Sequence, residues 1–212
     1  MKRRALLALP LLLPFAARAQ SVRAAPLTPQ DRADLARIEA YLNGLSTLKA
    51  RFLQVAPDGS TSQGIAWMQR PGRMRFQYDP PTPLLLVAGH GLFVYYDRQL
   101  KQTSNIPLGS TPLGLLLAEH VTLSGGVTVT DIGRMPGQIQ VTMVRTDSPG
   151  DGSLTLVFAD QPLALRQWTV IDSQRRETTV SLFNVQFGGS FDQAMFTFID
   201  PNFLPGSDKM YK

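Results

Sequence analysis

Few residues in this sequence have the types and spacing that covalent catalysis needs. The chain contains no cysteine, and its two histidines, His90 and His120, do not stand at a spacing typical of a metal site. Positions 109–111 read Gly-Ser-Thr, which lacks the closing glycine of a nucleophile elbow, and no phosphate-binding glycine loop occurs. We therefore predict no enzymatic activity, no catalytic residue, no metal ligand and no cofactor.

The chemistry that the sequence does favour is the binding of an apolar ligand. Methionine carries a flexible thioether that suits irregular apolar ligands. If side chains alternate strictly, one face of the predicted sheet carries an apolar group made of Met68, Met74, Phe76, Phe93 and Tyr95. Composition alone does not separate a filled core, which is the commoner arrangement, from a hollow that admits a ligand. Both interpretations stay open at this point.

One amphipathic helix is predicted near the start of the chain. Thr28 is suited to the capping position, Pro29 to the first helical position, and Asp31 places an acid in the first turn. Apolar residues then recur every three or four positions, as on one face of a helix. We expect a helix from about 29 to 43.

From Leu48 onward the apolar period changes to two, which is typical of strands. Between Arg73 and Tyr78, polar and apolar side chains alternate at every residue. A second helical segment is predicted from Ser110 to near His120. Glycine and proline separate the remaining extended runs. Further strands are predicted near 48–52, 63–69, 84–88, 92–97, 100–105, 127–132, 139–145, 153–159, 164–172, 177–187 and 195–199.

The first 19 residues have the organisation of a secretory signal peptide. Three basic residues at positions 2–4 precede a short apolar run, and alanines occupy positions 17 and 19, before the expected cleavage point. The run is too short to span a bilayer. Without these 19 of the 212 residues, 193 remain, which suits one domain. We expect a signal peptide at 1–19 and a single domain at 20–212.

The charge of the chain argues against a nucleic-acid partner. The formal net charge is +5, but four basic residues and no acid belong to the predicted signal peptide, so +1 remains. Without cysteine, the exported protein would carry neither a disulfide nor a lipidated N-terminal cysteine. We expect a soluble, monomeric protein of the periplasm.

The sequence order predicts the architecture. Roughly ten strands in succession, joined by short turns, indicate one strongly curved antiparallel sheet or an incomplete barrel. Two helical segments remain to cover it. The expected fold class is therefore mainly β with helices, of the α+β type.

The most distinctive stretch is 67–78, Trp-Met-Gln-Arg-Pro-Gly-Arg-Met-Arg-Phe-Gln-Tyr, followed by a proline-rich turn. It resembles the LolA-type periplasmic lipoprotein carriers, which share the tryptophan, the Arg-Pro pair and the aromatic strand. Shorter motifs at 45–54, 91–97 and 111–116, and Phe-Thr-Phe at 196–198, agree with the same family in the same order. Their shared order and the leader make the resemblance specific.

This resemblance implies an unclosed antiparallel β-barrel of about 10–11 strands, with lid helices over an apolar cavity. The ligand would be the acyl chains of triacylated lipoproteins. The family receives this cargo from an inner-membrane lipoprotein-releasing ABC transporter and delivers it to the outer membrane, where a receptor can accept it. The carrier would act as a chaperone and would perform no covalent chemistry.

The resemblance also implies roles for individual residues. Arg70, at the Arg-Pro position, would be a lid latch that bonds to carbonyls near Leu116 or Leu117 and holds the empty state closed. Gly114 would lie inside the lid helix, at a cost of about 1 kcal/mol relative to alanine. The implied ligand-binding residues are Trp67, Met68, Met74, Phe76, Phe93, Tyr95, Leu113 and Leu116.

Three alternatives remain open on the sequence. A bifunctional carrier could also insert its cargo into the outer membrane, although the usual receptor of this kind is a lipoprotein and needs a cysteine. A small outer-membrane β-barrel would place its apolar residues outward, and two internal helical segments disfavour it. A periplasmic hydrolase is disfavoured by the lack of a nucleophile with a base.

Overall fold

The first helix, α1, spans Pro29–Gly44 in the computed structural model, which describes residues 22–202. Thr28 caps α1 as predicted. Its hydroxyl accepts a hydrogen bond from the amide of Asp31, and the Asp31 carboxylate accepts one from the amide of Thr28. The predicted signal peptide, 1–19, lies outside the described residues.

Eleven antiparallel strands form one sheet within the described residues. Their bounds are β1 (Thr47–Val55), β2 (Thr61–Gln69), β3 (Arg73–Tyr78), β4 (Leu84–Gly89), β5 (Leu92–Asp97), β6 (Gln102–Pro107), β7 (Val127–Met135), β8 (Gln138–Arg145), β9 (Gly152–Ala159), β10 (Ala164–Asp172) and β11 (Glu177–Phe187). The order across the sheet is β6-β5-β4-β3-β2-β1-β11-β10-β9-β8-β7, so β6 and β7 are its two edges. No pairing joins these edges in the described part of the chain, which confirms an unclosed, mainly β fold.

The connection between β6 and β7 leads from one edge of the sheet to the other and forms the lid. It contains a 3-10 turn at Leu108–Ser110 and the short helix α2, Leu113–Leu116. The helix predicted as far as His120 is therefore much shorter than expected. After α2 the chain continues without regular structure as far as β7.

The early end of α2 has a physical reason in the sheet beside it. The main-chain oxygen of Leu117 accepts a hydrogen bond from the amide of Gly72, at 2.8 Å. The oxygen of Ala118 accepts from the Arg70 side chain. These carbonyls are bonded to the β2–β3 turn and not to a following helical turn, so tertiary contacts end the helix here.

The concave face of the sheet and α1 share one hydrophobic core. Phe52 of β1 is completely buried, and its ring makes edge contacts with Phe76 and Tyr78 of β3 at centroid distances of 4.8 and 5.1 Å. Ile38 and Leu42 bury the inner side of α1 in the same core. The helix thus covers part of the sheet, as an amphipathic helix must if its apolar stripe is to leave water.

The predicted strand at 195–199 is wrong. A 3-10 turn forms at Gln193–Phe196, and irregular chain follows it. Asp192 caps this turn by accepting a hydrogen bond from the amide of Ala194.

This C-terminal segment packs on the convex face of the sheet. The main chain at Phe196 lies so close to Gly89 of β4 that a Cβ on this glycine would be 2.1 Å from the Phe196 oxygen. Phe198 packs against Tyr96 of β5, with ring centroids 5.2 Å apart. Contact with this face buries Phe196 and half-buries Phe198.

A charged cluster attaches the start of α1 to the edge strand β7. The guanidinium of Arg134 contacts the carboxylates of Asp31 and Asp34 at 2.7 and 2.6 Å. Both carboxylates are almost fully buried, so their pairing with the arginine offsets the cost of removing them from water. The cluster holds α1 in place over the sheet.

Candidate functional site

An apolar cavity of about 500 Å³ lies between the concave face and the first part of the lid. This volume falls in the range of about 300–1,000 Å³ that is usual for ligand sites. Lid residues 110–113 line one side of it. The apolar lining of the sheet consists of Phe76, Tyr78, Leu86, Phe93, Tyr95, Ile106, Trp168, Val170 and Val180.

Strand register brings these side chains together. Phe76 pairs with Leu86 across β3 and β4, and Leu86 pairs with Tyr95 across β4 and β5. Directly paired residues point to the same face of a sheet, so all three face the cavity. Trp168 reaches them from β10, with its ring centroid 6.0 Å from that of Phe76. The curvature of the sheet therefore places aromatic groups from distant strands around one space.

Polar groups line part of the cavity. The Tyr78 hydroxyl donates to the Gln54 side chain at 2.7 Å, and burial raises the pKa of Tyr78, so the phenol stays a neutral donor. Asp172 pairs with Arg176 at 2.9 Å. Partial burial acts to raise the pKa of Asp172, but hydrogen bonds from Arg176 and Gln174 together outweigh it and hold that pKa below its ordinary value. The Tyr78 hydroxyl and the Asp172 carboxylate at the edge of the cavity thus have hydrogen-bond partners, and the interior of the cavity is apolar.

Four of the predicted ligand-binding residues line the cavity: Phe76, Phe93, Tyr95 and Leu113. Tyr95 keeps 37 % of its surface exposed, which is high for a residue on the inner face of a sheet. The positions of Phe76, Phe93 and Tyr95 agree with the strand alternation predicted from the sequence, and Leu113 lines the cavity from α2. That they bind a ligand stays a prediction.

Met68, Met74 and Leu116 are not part of the cavity wall. They are 2 %, 2 % and 1 % exposed and belong to the core that α1 and the lid cover. Met68 pairs with Met74, so both lie toward the end of the strands that the β2–β3 turn connects. We call this end the filled half of the concave face, and the end that contains the cavity the open half.

Trp67 lies on the opposite face of the sheet, which corrects its predicted place in the cavity. It pairs with Arg75, whereas its neighbour Met68 pairs with Met74 on the concave face. Adjacent residues of a strand point to opposite faces, so Trp67 and Met68 cannot both face the cavity. The ammonium group of Lys49 lies 6.0 Å from the Trp67 ring on the convex side.

Arg70 bonds to main-chain oxygens of two separate covering elements. Its Nε and Nη2 donate to the oxygen of Ala118 at 2.9 and 2.6 Å, and Nη2 donates to Glu119 at 3.2 Å. Its Nη1 donates to the oxygen of Leu42 in the last turn of α1. The acceptors were predicted near Leu116 or Leu117. In the structure they lie slightly farther along the chain, at Ala118 and Glu119, and a further acceptor belongs to α1. Burial lowers the pKa of the Arg70 guanidinium.

Sequence reasoning missed two further attachments of the lid to α1. The Asn43 amide donates to the oxygen of Val121 and accepts from its amide, both at 2.9 Å. The Glu39 carboxylate accepts from the amide of Leu123 at 2.9 Å. Asn43 and Val121 are separated by 78 positions, and no local pattern in the sequence signals such a pair.

Gly114 has a steric role in the lid. A Cβ at this position would lie 2.4 Å from the main-chain oxygen of Leu108. Thr111 stabilises the turn between Leu108 and Gly114. Its hydroxyl donates to the Leu108 oxygen at 2.9 Å and accepts from the Gly114 amide at 3.2 Å. The glycine that reduces helix propensity therefore permits the compact turn from Leu108 to α2.

Within residues 22–202, neither helix combines the length and the apolar character needed to cross a membrane. The model of the family described as outer membrane lipoprotein carrier protein LolA matches residues 43–199. An outer-membrane lipoprotein carrier protein from Methylococcus capsulatus is 30 % identical over 208 residues, covering 93 % of this chain and 94 % of its own. The chain belongs to the LolA family.

Other LolA relatives match with similar coverage. Outer-membrane lipoprotein carrier proteins from Pseudomonas paraeruginosa and Chromohalobacter salexigens are 27 % and 28 % identical, over 84 % of this chain and 88–89 % of theirs. A solved LolA superfamily structure from Nitrosomonas europaea covers 77 % of this chain and 97 % of its own, with 6 % identity and a TM-score of 0.43. The match at 43–199 contains Arg70 and every residue that lines the cavity, and it confirms the family that the sequence motifs indicated.

Proposed function

We propose that this chain is a periplasmic chaperone that holds the acyl chains of lipoproteins in its cavity and carries them toward the outer membrane. The observation that carries the proposal is the apolar cavity of about 500 Å³ beneath the lid, in a member of the LolA family. The relatives are named outer-membrane lipoprotein carrier proteins, and the chain spans nearly all of their length. The proposed activity is transport and not catalysis.

The cavity wall suits acyl chains on energetic grounds. Burying one methylene group contributes about 0.8 kcal/mol, so a fatty chain that enters an apolar space binds with a large favourable free energy. Phe76, Leu86 and Trp168 offer this space a continuous apolar surface. The groups at the margin, including Gln54 and Asp172, suit the polar part of a lipoprotein where its chain leaves the cavity.

A carrier must also release its cargo, and the lid supplies a physical means. When the lid closes on the filled half, it buries Leu116 and Leu117 against the concave face. Cargo that occupies this region has to replace those native contacts, so the net affinity is lower than the acyl chains alone would give. Opening would also expose Met68 and Met74, which explains how these two buried residues could still bind cargo.

The remaining partners follow from the same proposal. Cargo would come from an inner-membrane lipoprotein-releasing ABC transporter, and an outer-membrane receptor could accept it. The leader-like residues 1–19 support export to the periplasm. We expect the carrier to act as a monomer with one lipoprotein bound.

Native mass spectrometry of the full chain, purified after export from cells that make lipoproteins, tests this function. We expect a one-to-one adduct with a triacylated lipoprotein. Phe93→Glu should remove the adduct, because Phe93 lines the cavity, and Leu92→Glu should keep it. The proposal would be overturned by protein that is always recovered empty, although folded and exported, from cells rich in triacylated lipoproteins.

A further inference from the structure

Arg145, at the end of β8, bonds to a different part of the lid from Arg70. Its Nη1 donates to the main-chain oxygen of Gly109 in the 3-10 turn of the lid. Its Nη2 and Nε donate to the Asp147 carboxylate at 3.1 and 3.3 Å, and Nε lies 3.9 Å from an oxygen of Asp151. The carboxylates orient the guanidinium and leave one nitrogen directed at the lid.

This hydrogen bond joins regions next to the two edge strands of the sheet, β6 and β7. Gly109 follows the edge strand β6, whereas Arg145 pairs with Val127 of the other edge strand, β7. These edges have no strand pairing between them in the described residues. Through the lid, the hydrogen bond from Arg145 therefore links the regions of the two sheet edges.

The two arginines hold different parts of the lid. Residues 110–113, directly after Gly109, line the cavity, and Asp151 beside Arg145 lines it as well. The acceptors of Arg70 belong to the end of α1 and to the chain after α2, over the filled half. Thr111 bonds to Leu108 and Gly114, so the first part of the lid should move as one unit when its attachment at Gly109 is released.

We propose that Arg145 is a second latch residue, which holds the first part of the lid over the cavity and controls entry of an apolar chain. Arg70 then controls the separate opening of the filled half. Only the naming of the entering group as an acyl chain rests on the proposed function. The two latches permit two separate steps: entry of an apolar chain into the existing cavity, and enlargement of that cavity when the filled half opens.

Distances between spin labels, measured by pulsed electron resonance on the empty full chain, test the latch without any ligand. The chain has no cysteine, so labels are introduced without a background. The pair Ser110→Cys with Lys49→Cys reports the first part of the lid against the convex face. The pair Glu119→Cys with Lys49→Cys reports the last part. All three positions are exposed.

In the 110/49 pair, Arg145→Leu should raise the population with longer distances about tenfold, the factor that corresponds to about 1.4 kcal/mol. The 119/49 pair should change little in that variant, and Arg70→Leu should show the reverse. Arg166→Leu, at an exposed arginine of β10, is the matched control and should resemble the parent. Asp147→Asn, which removes the orienting carboxylate, should give an intermediate increase. An Arg145→Leu distribution identical to that of the parent would overturn the proposal.

A second measurement distinguishes the latch role of Arg145 from the identity of the ligand. Association of the fluorescent fatty acid cis-parinaric acid should be about tenfold faster in Arg145→Leu than in the parent or in Arg166→Leu. If the spin labels show opening while no variant binds the fatty acid, the latch stands and the acyl ligand is wrong. If the fatty acid binds every variant at the parent rate and the labels do not move, the latch is wrong and the proposed function is unaffected.

Discussion

The guanidinium of Arg70 donates a hydrogen bond to the main-chain oxygen of Leu42, in the last turn of α1. The same side chain donates to Ala118 and Glu119 after α2. One residue at the end of β2 thus holds both elements that cover the filled half. An arginine suits this position because its five donors form a fixed fork and its charge strengthens each bond.

Arg70→Leu should keep the fold and retain cargo. A hydrogen bond to a charged group contributes about 1.5–3 kcal/mol, and the variant loses such bonds in the closed, empty state. Closing then competes less well with cargo, so we expect release to be at least about tenfold slower. Transfer of a fluorescent triacylated lipopeptide from the carrier to liposomes measures this rate, with Arg166→Leu as control. Release at the parent rate would refute the latch role of Arg70.

Phe93→Glu should weaken acyl binding at least tenfold, because it places a carboxylate on the apolar wall, where an unpaired charge is costly. Leu92→Glu is the matched control. Leu92 is the adjacent residue, is 40 % exposed and points to the other face of β5. Titration with a fluorescent fatty acid gives both affinities. Equal loss in the two variants would show that the effect does not come from the cavity.

Gly114→Ala should destabilise the lid although alanine favours helices by about 1 kcal/mol. The new Cβ would meet the Leu108 oxygen at 2.4 Å, and this atom is main chain and cannot easily move away. Gly109→Ala is the control, because a Cβ there has no neighbour within 4 Å. Thermal unfolding should show a lower Tm for Gly114→Ala and little change for Gly109→Ala. A Tm increase in the first variant would contradict the steric role.

Acid should remove a stabilising contribution of Asp31. Hydrogen bonds from Thr28, aided by Arg134, lower the pKa of Asp31 from 3.8 to about 2. The folded state holds the carboxylate more strongly than the unfolded state does, so this stability is complete above about pH 4 and is lost as the pH falls toward 2.

The free energy of unfolding in urea, measured from pH 5 to pH 2, tests whether the contribution of Asp31 is lost as the pH falls. Asp31→Asn should show a shallower decline than the parent between pH 4 and 2. Asp131→Asn, at an exposed position of β7, should follow the parent. Parallel curves for Asp31→Asn and the parent would rule out the contribution.

The sequence by itself determined the local elements. The cap formed by Thr28 and Asp31 acts within four residues, and the alternation in β3 reflects the two faces of a single strand. The order of motifs also sufficed to indicate the LolA family and an unclosed, mainly β fold. Local hydrogen bonding and side-chain periodicity depend on neighbours along the chain, so they can be read directly from it.

Tertiary structure alone decided the length of the lid helix, the face on which the C-terminal aromatic residues pack, and the acceptors of Arg70. It also decided that Phe76 and Phe93 border a hollow while Met68 and Met74 lie in filled core, although all four are apolar residues on one face. Cavity space is the volume left between strands and lid after they have packed. Its place depends on contacts across tens of residues, such as that of Asn43 with Val121, which no local pattern encodes.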